Sequence, residues 1–598
     1  MSCDLAYGQR AQFLRCMPKQ LPGGANHYSF VRGKLLVSMS TKQKPKALYV
    51  DGKVRSVGGA SAAEMDRLGP ANNEECRVQK VDSRSAAGCR ECLRNPDHRQ
   101  RQWIHGMLSN WRGARPMAHG KTAEMTSSRA GLRYWAHRVL VESDKVGRHL
   151  DPGSVHDLRV ALRRCRSMAD GFVLIDPCPG WKQLKKLGKT LFSRLGELRD
   201  VQVMVEWVSR LGQPEDPIRK ALLDSLAKRE QQLKKDAHGA LLGFNRKEWA
   251  SLAQKLAKRS QKVPPEGVIF QHLAVERWEE AYHLHRQALR TRLQVAFHQL
   301  RIGLKKFRYI VENFLPQRHE RWGRDLRDLQ DLLGEVHDLD VLWTILRSRP
   351  DFGREERLHW QSKIKEERHQ RLAKYYKMMG GARSLWQVWR AELPKNDELE
   401  SAGVARLRAW ASFLDPDIEH SQLVAQLALQ LYDGLVRDGV FHAGKKTRRI
   451  LEAAALLHDV GRAQAKQEHQ KDSCRLIRNI VPPLGWTLQD LRAVAAVARY
   501  HRGALPRSGH KCLAQLPPSA RPGLVQLAGI LRLADGFDLS HQRKVRRLHV
   551  GRNDGGLIVR GEGYDEVGPT AERLAAARYL LELNCQIPIL VRSWRPSH

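Results

Sequence analysis

Hydrophobic positions recur at helical spacing through most of this chain beyond its N-terminal region. The stretch 127–393 is helical in pattern and highly charged, and it is interrupted by the Gly/Pro segment 211–217 and by Pro-Pro at 264–265. A second helical stretch, 403–541, is less charged and rich in Ala and Leu, and a predicted linker at 394–400 precedes it. The pattern therefore predicts a mainly all-α protein with two helical regions.

The period changes near the C-terminus. A turn sequence at 553–556 lies between two short apolar runs and predicts a β-hairpin. Residues 569–583 predict a helix that begins with proline, and 586–594 predict a strand. The segment 546–598 is therefore expected to form a small α/β appendage.

Residues 1–116 show no sustained helical or alternating period and are rich in Gly, Ser, Arg, Lys and Asn. They predict a poorly ordered extension. An alternative is that translation starts at Met117 or Met125 and that the upstream residues are an artefact of the gene model. A further alternative is a zinc site built on the CxxC pair Cys89 and Cys92 together with Cys76, His98 and His105.

The chain has 598 residues, with 103 Lys and Arg against 64 Asp and Glu, for a formal net charge of +39. This excess predicts a polyanionic partner, whether nucleic acid, an acidic membrane or free polyphosphate. No run approaches the roughly 18 apolar residues of a membrane span, and the N-terminus lacks the apolar core of a secretory signal. A cytoplasmic protein is expected. The predicted segments are 1–116, 117–395, 403–545 and 546–598.

Two short motifs occur twice in the helical middle of the chain. HDLRVALRRCR at 156–166 recurs 142 residues later as HQLRIGLKKFR at 298–308. LGELRDVQV at 195–203 recurs 138 residues later as LGEVHDLDV at 333–341. The same order and nearly the same offset indicate a duplicated helical unit.

In each copy, His and cationic residues fall on one helical face. At about 100° per residue, positions 0, 3, 7 and 10 of the first motif lie within about 80° of one another. An apolar stripe runs beside them, so each helix is expected to pack on one flank and to expose cations on the next. The two faces consist of His156, Arg159, Arg163 and Arg166, and of His298, Arg301, Lys305 and Arg308.

More cations follow each face at helical spacing. They are Lys182, Lys185, Lys186 and Lys189 after the first, and Arg321, Arg324 and Arg327 after the second. A solvated basic surface, with histidines at the edge of a packing surface, is the alternative to a binding site. The same helical positions are basic in both copies. This favours a binding site, because a surface that is merely solvated need not repeat the pattern.

The repeated motifs resemble those of the CHAD family, the conserved-histidine α-helical domain, over residues 120–395. The resemblance implies a two-fold helical bundle whose basic surface binds inorganic polyphosphate, with association with polyphosphate granules as a further expectation. Polyphosphate has no bases to read, and the two cationic faces hold no aromatic platform of the kind that single-stranded nucleic-acid binders use. The implied polyphosphate contacts are His156, Arg159, Arg163, Arg164, Arg166, His298, Arg301, Lys305, Lys306 and Arg308. Helical spacing adds further candidate contacts, which are Lys182, Lys185, Lys186, Lys189, Arg324 and Arg327.

The second helical region contains potential metal ligands at the ends of apolar helices. His458 and Asp459 end one such helix, His420 precedes them and Asp535 lies in a later helix. Imidazole and carboxylate groups that converge from different helices suit a divalent metal such as Mn²⁺ or Mg²⁺. Such a metal acidifies water and supports hydrolysis at phosphorus.

These residues resemble the HD superfamily of metal-dependent phosphohydrolases. The sequence motifs EAAALLHDVG at 452–461 and LRLADGFDLSH at 531–541 more closely resemble those of the C-terminal HD-type domain of the exopolyphosphatase/guanosine-pentaphosphate phosphatase (Ppx/GppA) family. This resemblance covers residues 403–598. The resemblance implies a metal held by His420, His458, Asp459 and Asp535. It implies that His469 and His501 contribute to a second metal or to phosphate binding, and that Arg462 contacts a phosphate. The expected catalytic residues are His458, Asp459 and Arg462.

Two departures from the Ppx/GppA pattern bear on activity. The family often has a His-rich stretch where this chain reads HQKDS at 469–473, which affects a dinuclear site more than a mononuclear one. Full-length exopolyphosphatases also carry actin-like ATPase-fold domains ahead of this region, and the CHAD-like region stands in their place here.

Three functions stay open at this stage. The first is polyphosphate capture coupled to metal-dependent hydrolysis of a phosphoanhydride or phosphate ester, including a phosphorylated nucleotide. The second is a non-catalytic polyphosphate-binding or granule-targeting protein whose HD region is degenerate or senses a nucleotide. The third is a nucleic-acid binder, which the charge allows although no recognised nucleic-acid-binding motif supports it.

Overall fold

A computed structural model describes the side chains of most residues beyond 130, in the ranges 131–349, 351–464, 468–553 and 555–594 apart from Pro569. Nearer the N-terminus it describes the backbone of two antiparallel strand pairs, which the sequence pattern did not predict. The pairs are β1 (Ala25–Val31) with β2 (Lys34–Met39) and β3 (Ala47–Val50) with β4 (Lys53–Ser56). The rest of the predicted extension, the candidate zinc ligands, Met117 and Met125 lie outside the described residues.

The first helical region begins at Leu132 and ends with a short helix near residue 391. Two of its helices start at Asp-Pro pairs, where the carboxylates of Asp151 and Asp216 accept backbone N–H groups of the first turn and proline follows. The helices are α1 (Leu132–Arg148), α2 (Pro152–Phe172), α3 (Gly180–Leu187), α4 (Lys189–Leu211), α5 (Pro217–Leu242), α6 (Arg246–Ser260), α7 (Val268–Thr291), α8 (Gln294–Phe314), α9 (Pro316–Arg347), α10 (Arg354–Met379) and α11 (Leu385–Ala391).

The two copies of the repeat face each other in this bundle. The first copy lies on α2 and α4 and the second on α8 and α9; α2 packs against α8, and α4 contacts α9. The apolar flank beside each cationic face is buried, as predicted, and comprises Val155, Leu158, Leu162, Phe297, Leu300, Leu304 and Phe307. The structure therefore confirms the duplicated helical bundle.

The second helical region begins at Asn396, inside the segment predicted to be a linker. The Glu398 carboxylate accepts the Lys395 backbone N–H at 3.2 Å and so extends the helix to this point. The helices are α12 (Asn396–Ser412), α13 (Ile418–Arg437), α14 (Lys445–Leu457), α15 (His469–Arg478), α16 (Leu488–Arg499), α17 (Lys511–Ala514) and α18 (Arg521–Gly536), with a 3₁₀ turn at Pro518–Ala520. Within the described ranges, no helix is both long enough and apolar enough to cross a membrane.

The predicted hairpin, helix and strand of the appendage are all present. Strands β5 (Arg547–Asn553) and β6 (Gly556–Glu562) pair antiparallel, and β7 (Ile589–Ser593) pairs parallel with β6 after helix α19 (Pro569–Cys585). α19 packs on α18, and β5 packs on α13. The appendage therefore shares its core with the helices that carry the candidate metal ligands.

A buried polar joint connects the two helical regions, which belong to one compact unit. Arg406 of α12 is 3% exposed; its Nη1 donates to Glu276 Oε1 of α7 at 2.7 Å and its Nε to the Leu174 carbonyl at 3.2 Å. The same carboxylate accepts the Leu484 backbone N–H at 3.1 Å, and His272 Nε2 lies 3.0 Å from the Leu484 carbonyl oxygen. These bonds fix the position of the second region on the first.

Candidate polyanion-binding surface and candidate metal centre

Charged side chains from both copies of the repeat meet where α2, α4, α8 and α9 come together. We call Arg159, Arg163, Arg199, Arg301 and Lys305 the basic cluster. Two carboxylates, Asp200 and Asp338, lie among them. Asp200 interacts electrostatically with cations of both copies and with Asp338, so the two copies form one charged centre. In this centre the cations outnumber the two carboxylates.

Arg159 and Arg301 are buried, at 4% and 1% exposure, although their helical faces were expected to present them to solvent. The second motif of each copy brings a buried carboxylate, Asp200 or Asp338, to the same place. A buried guanidinium is stable only beside such a partner. Gly196 makes room for one of them, because a Cβ there would lie 2.6 Å from Arg159 Nη1. Burial places both arginines behind the surface, and direct polyphosphate contact by them remains a prediction.

Burial and the charges of the basic cluster lower the pKa of Lys305 and of two neighbouring histidines. Burial, followed by three arginines of the cluster, lowers the pKa of Lys305 well below its usual value. Burial, Arg301 and Lys305 lower the pKa of His298 to about 4. Burial and Arg163 likewise lower the pKa of His156. Cations that oppose one another's ionisation in this way are stabilised by a nearby anion.

Several predicted contacts are engaged by neighbouring groups of the protein. Arg164 forms an ion pair with Glu312 and donates to Asn313 Oδ1 at 3.0 Å, while Arg166 donates to the Lys185 carbonyl at 3.0 Å. The other ion pairs are Lys185 with Asp170, Lys306 with Glu280 at 2.6 Å and Arg308 with Glu312 at 3.7 Å. The exposed members of the predicted set are Lys182, Lys186, Lys189, Lys306, Arg324 and Arg327.

Two members of this surface were not assigned from the sequence. Arg199 and His337 occupy the same position of the second motif in the two copies. His337 Nδ1 lies 3.3 Å from His298 Nδ1, and the charge of Arg199 acts on His156. In each copy, the histidine of the first motif therefore interacts with the residue at this position of the second motif. The available signal was the recurrence of LGELRD as LGEVHD.

The candidate metal ligands come together from three helices of the second region. His420 lies in the first turn of α13, His458 and Asp459 follow directly after α14, and Asp535 lies in the last turn of α18. All four side chains are buried. One ligand atom from each of His420, His458 and Asp535 lies within 4.8 Å of the other two, and the same holds for His458, Asp459 and His501.

The distances within this centre leave one buried nitrogen unsatisfied. His420 Nε2 lies 3.2 Å from Asp535 Oδ1, and His458 Nε2 lies 3.5 Å from an oxygen of both Asp459 and Asp535. His458 Nε2 has no hydrogen-bond partner among the described residues. A buried polar atom of this kind is costly unless a ligand satisfies it. Two imidazoles and two carboxylates in this arrangement fit a divalent cation.

The histidines are oriented by bonds to their other ring nitrogen. Each Nδ1 lies within hydrogen-bond distance of an oxygen: Ala455 O for His458 at 2.7 Å, Ala498 O for His501 at 2.8 Å, and Asp538 Oδ2 for His420 at 2.8 Å. When Nδ1 donates, the lone pair on Nε2 is directed to the centre of the site. Metal-binding histidines are usually oriented in this way.

The charges of the centre are balanced inside the protein. Burial lowers the pKa of His420, but hydrogen bonds to Asp535 and Asp538 outweigh it and raise this pKa to about 9. Burial also opposes ionisation of Asp459 and Asp535, yet the adjacent histidines hold the pKa of both carboxyls below its usual value. Burial lowers the pKa of His501 to about 3, which keeps that ring neutral.

The second predicted group lies around the same carboxylate, Asp459. His469 Nε2 is 2.9 Å from Asp459 Oδ1 and 3.3 Å from His501 Nε2. Arg462, which is partly exposed, lies 3.0 Å from Asp459 Oδ2 and 2.6 Å from His541 Nε2. The histidines predicted for a second metal and the arginine predicted to contact phosphate therefore share one carboxylate.

Three further neighbours of the centre were not assigned from the sequence. Asp538 is buried and orients His420. His541 Nδ1 lies 2.9 Å from Asp417 Oδ2, and Asp417 also caps α13 through the His420 backbone N–H at 3.2 Å. His541, His420 and Asp459 form a third set of converging ligand atoms. Asp538 and His541 lie in the quoted LADGFDLSH motif, which was the available signal.

Comparison with known proteins finds two family matches along the chain. Residues 130–347 match the family model of the CHAD domain, and residues 406–552 match that of the Ppx/GppA phosphatase, domain III. The crystal structure of the CHAD domain from the plant Ricinus communis is 21% identical, covers 47% of this chain and 98% of that chain, and has a TM-score of 0.32. No curated protein matches the chain. The chain therefore contains a CHAD domain at residues 130–347 and a Ppx/GppA domain III at residues 406–552, two matches that support a polyphosphate-related protein.

Proposed function

We propose that this protein binds inorganic polyphosphate through its basic cluster and hydrolyses a phosphoanhydride or phosphate ester at a divalent metal in an HD-type centre. Association with cytoplasmic polyphosphate granules is part of this proposal. The observation that carries it is the duplicated cluster, in which cations of two helical repeats meet in one centre and outnumber the two carboxylates between them. A polyanion that runs across both copies would neutralise that excess of positive charge.

The shape and chemistry of the cluster favour polyphosphate over nucleic acid. Its members are cations, and His156 and His298 lie beside it at matching positions of the two copies, which suits a polymer of repeated charge without bases. The aromatic rings in contact with it, such as Phe192 and Tyr309, lie against guanidinium groups of Arg159 and Arg163 at 5.3 and 5.7 Å. They are thus engaged with protein cations, whereas sequence-tolerant nucleic-acid binders present rings for stacking on bases.

In the HD-type centre, His420, His458, Asp459 and Asp535 would hold the metal. A divalent metal supplies Lewis-acid activation of water and of a phosphoryl oxygen when bound. The bond from His420 to Asp538 and those from His458 and His501 to backbone carbonyls fix the ring orientations. Arg462 is positioned by Asp459 and His541 at the partly exposed edge, where its guanidinium can bind an oxygen of the phosphate.

Reversing two charges of the cluster, with Arg163→Glu and Arg199→Glu together, is expected to weaken binding of long-chain polyphosphate by roughly 100-fold or more. The change removes two charge-assisted interactions, each of roughly 1.5–3 kcal/mol, and adds two repulsive groups. Fluorescence anisotropy with labelled polymer measures the Kd. The salt dependence should also become shallower, by about one unit of slope for each arginine that no longer binds a phosphate group.

The matched control is Arg552→Glu with Arg573→Glu, two exposed arginines of the appendage that give the same change in net charge. This variant should bind polyphosphate nearly as well as the wild type. An equal loss of affinity in both variants would mean that net charge alone attracts the polymer. Displacement of the polymer by duplex DNA at equal phosphate concentration would instead favour a nucleic-acid binder.

Polyphosphate affinity is expected to rise as the pH falls from about 7 to about 5. The free protein holds the pKa of His298 at about 4 and lowers that of His156, and a bound polyanion should raise both. Binding therefore takes up protons, and lower pH favours the complex. Calorimetry in two buffers of different ionisation enthalpy counts these protons, and His298→Gln should reduce the count. Net proton release on binding would contradict the expected role of the histidines.

A further inference from the structure

Two cysteines of the second helical region lie in contact. Cys474 Sγ on α15 and Cys512 Sγ on α17 are 3.3 Å apart, and both are free thiols. A disulfide needs a separation of about 2.05 Å, so the sulfurs are about 1.3 Å too far apart. α17 has only four residues, and the segment before it, from 502 to 510, has no regular helix or strand. A small shift of this segment can bring the sulfurs into bonding distance.

The surroundings make the two thiols unequal. A hydrogen bond from Cys474, with Arg478 and Arg499 nearby, lowers the pKa of Cys512. The same hydrogen bond and burial raise the pKa of Cys474. Cys512 is also the more exposed of the two, whereas Cys474 is buried. A partly exposed thiolate next to a protonated thiol is the arrangement of a reactive cysteine with its resolving partner.

The pair joins two elements that lead to the candidate metal centre. α15 begins at His469, and Ser473, next to Cys474, accepts the Gly461 backbone N–H at 2.9 Å. α17 follows the segment that starts at His501, whose Nε2 is 3.3 Å from that of His469. A bond between the two sulfurs would therefore connect α15, which begins at His469, to the helix at the end of the segment that starts at His501.

We propose that Cys474 and Cys512 form a reversible disulfide when the protein meets a hydroperoxide. The Cys512 thiolate attacks the peroxide, becomes a sulfenic acid and releases an alcohol or, from hydrogen peroxide, water once the leaving oxygen is protonated. Cys474 then loses its proton and attacks the sulfenic sulfur, which forms the S–S bond and releases water. Two thiols are oxidised and one hydroperoxide is reduced. A dithiol reverses the reaction by thiol–disulfide exchange.

The test is a peptide map of the full chain after treatment with hydrogen peroxide, under non-reducing conditions. The expected product is a single peptide pair that contains Cys474 and Cys512, lighter than the two free peptides by two hydrogen atoms and separated by dithiothreitol. Cys474→Ala should leave Cys512 as a sulfenic acid that dimedone traps. Cys585→Ala is the control, because Cys585 is half-buried on α19 and outside the pair.

Two results would overturn the proposal. One is recovery of Cys474 and Cys512 on separate, alkylatable peptides after enough peroxide has been added to oxidise Cys585. The other is dominant linkage of Cys512 to a cysteine other than Cys474. Both are read from the wild-type protein, so they do not depend on whether a variant folds.

Discussion

Replacing His458 and Asp459 together by alanine is expected to abolish metal-dependent phosphate release while the affinity for long-chain polyphosphate stays unchanged. These residues complete the set that includes His420 and Asp535, and Asp459 is also shared with His469. The variant keeps one imidazole and one carboxylate of the first set, which is too few to hold a divalent cation firmly. The basic cluster lies on other helices and keeps all its charges.

Three measurements on one preparation check this expectation: metal content after dialysis against Mn²⁺, phosphate release, and the polymer Kd. The matched control is His549→Ala with Asp565→Ala, which removes the same residue types from the appendage. It should retain metal, activity and binding. Phosphate release that persists in the His458/Asp459 variant would place hydrolysis elsewhere in the chain.

Arg406→Met is expected to lower the free energy of unfolding by about 3 kcal/mol. Arg406 is buried between the two helical regions and pairs with Glu276, whose carboxylate also accepts the Leu484 N–H. The substitution leaves that carboxylate without its cation at a mostly buried place. It also leaves the Leu174 carbonyl without its donor. Both effects weaken the joint between the regions.

Urea unfolding followed by circular dichroism measures this change in stability. Arg408→Met is the matched control, because Arg408 lies on the same helix, is 50% exposed and pairs with Glu452 at 3.5 Å. An exposed pair of this kind contributes little, so the control should change stability by less than about 1 kcal/mol. Equal effects of the two substitutions would show that the joint is no more important than a surface ion pair.

Features that depend on short stretches of sequence were predictable. The run Ile450 to Leu457 ends directly before His458 and Asp459, so the pattern alone located these two candidate ligands at a helix end. The turn residues at 553–556 fixed the hairpin in the same way. The repeated motifs revealed the duplicated bundle because each lies within a few helical turns.

Features that depend on the packing of distant residues were not predictable. Arg159 and Arg301 lie on a polar helical face, and only the carboxylates of other helices explain their burial. Arg406 and Glu276 are separated by 130 residues, and Cys474 and Cys512 by 38. No local period signals such a pair. Helix packing brings the two residues of such a pair together. The sequence around each residue is compatible with many partners.

The central claim is that polyphosphate binding and phosphate hydrolysis use separate sites of one chain, and steady-state phosphate release from long-chain polyphosphate with Mn²⁺ or Mg²⁺ tests it most directly. For the full-length protein, we expect the Arg163/Arg199 charge reversal to raise KM and to leave kcat nearly unchanged. The His458/Asp459 variant and EDTA should each abolish release. Release that survives EDTA would contradict the account, and the absence of any release by a wild-type protein that binds the polymer tightly would exclude hydrolysis of the bound polymer.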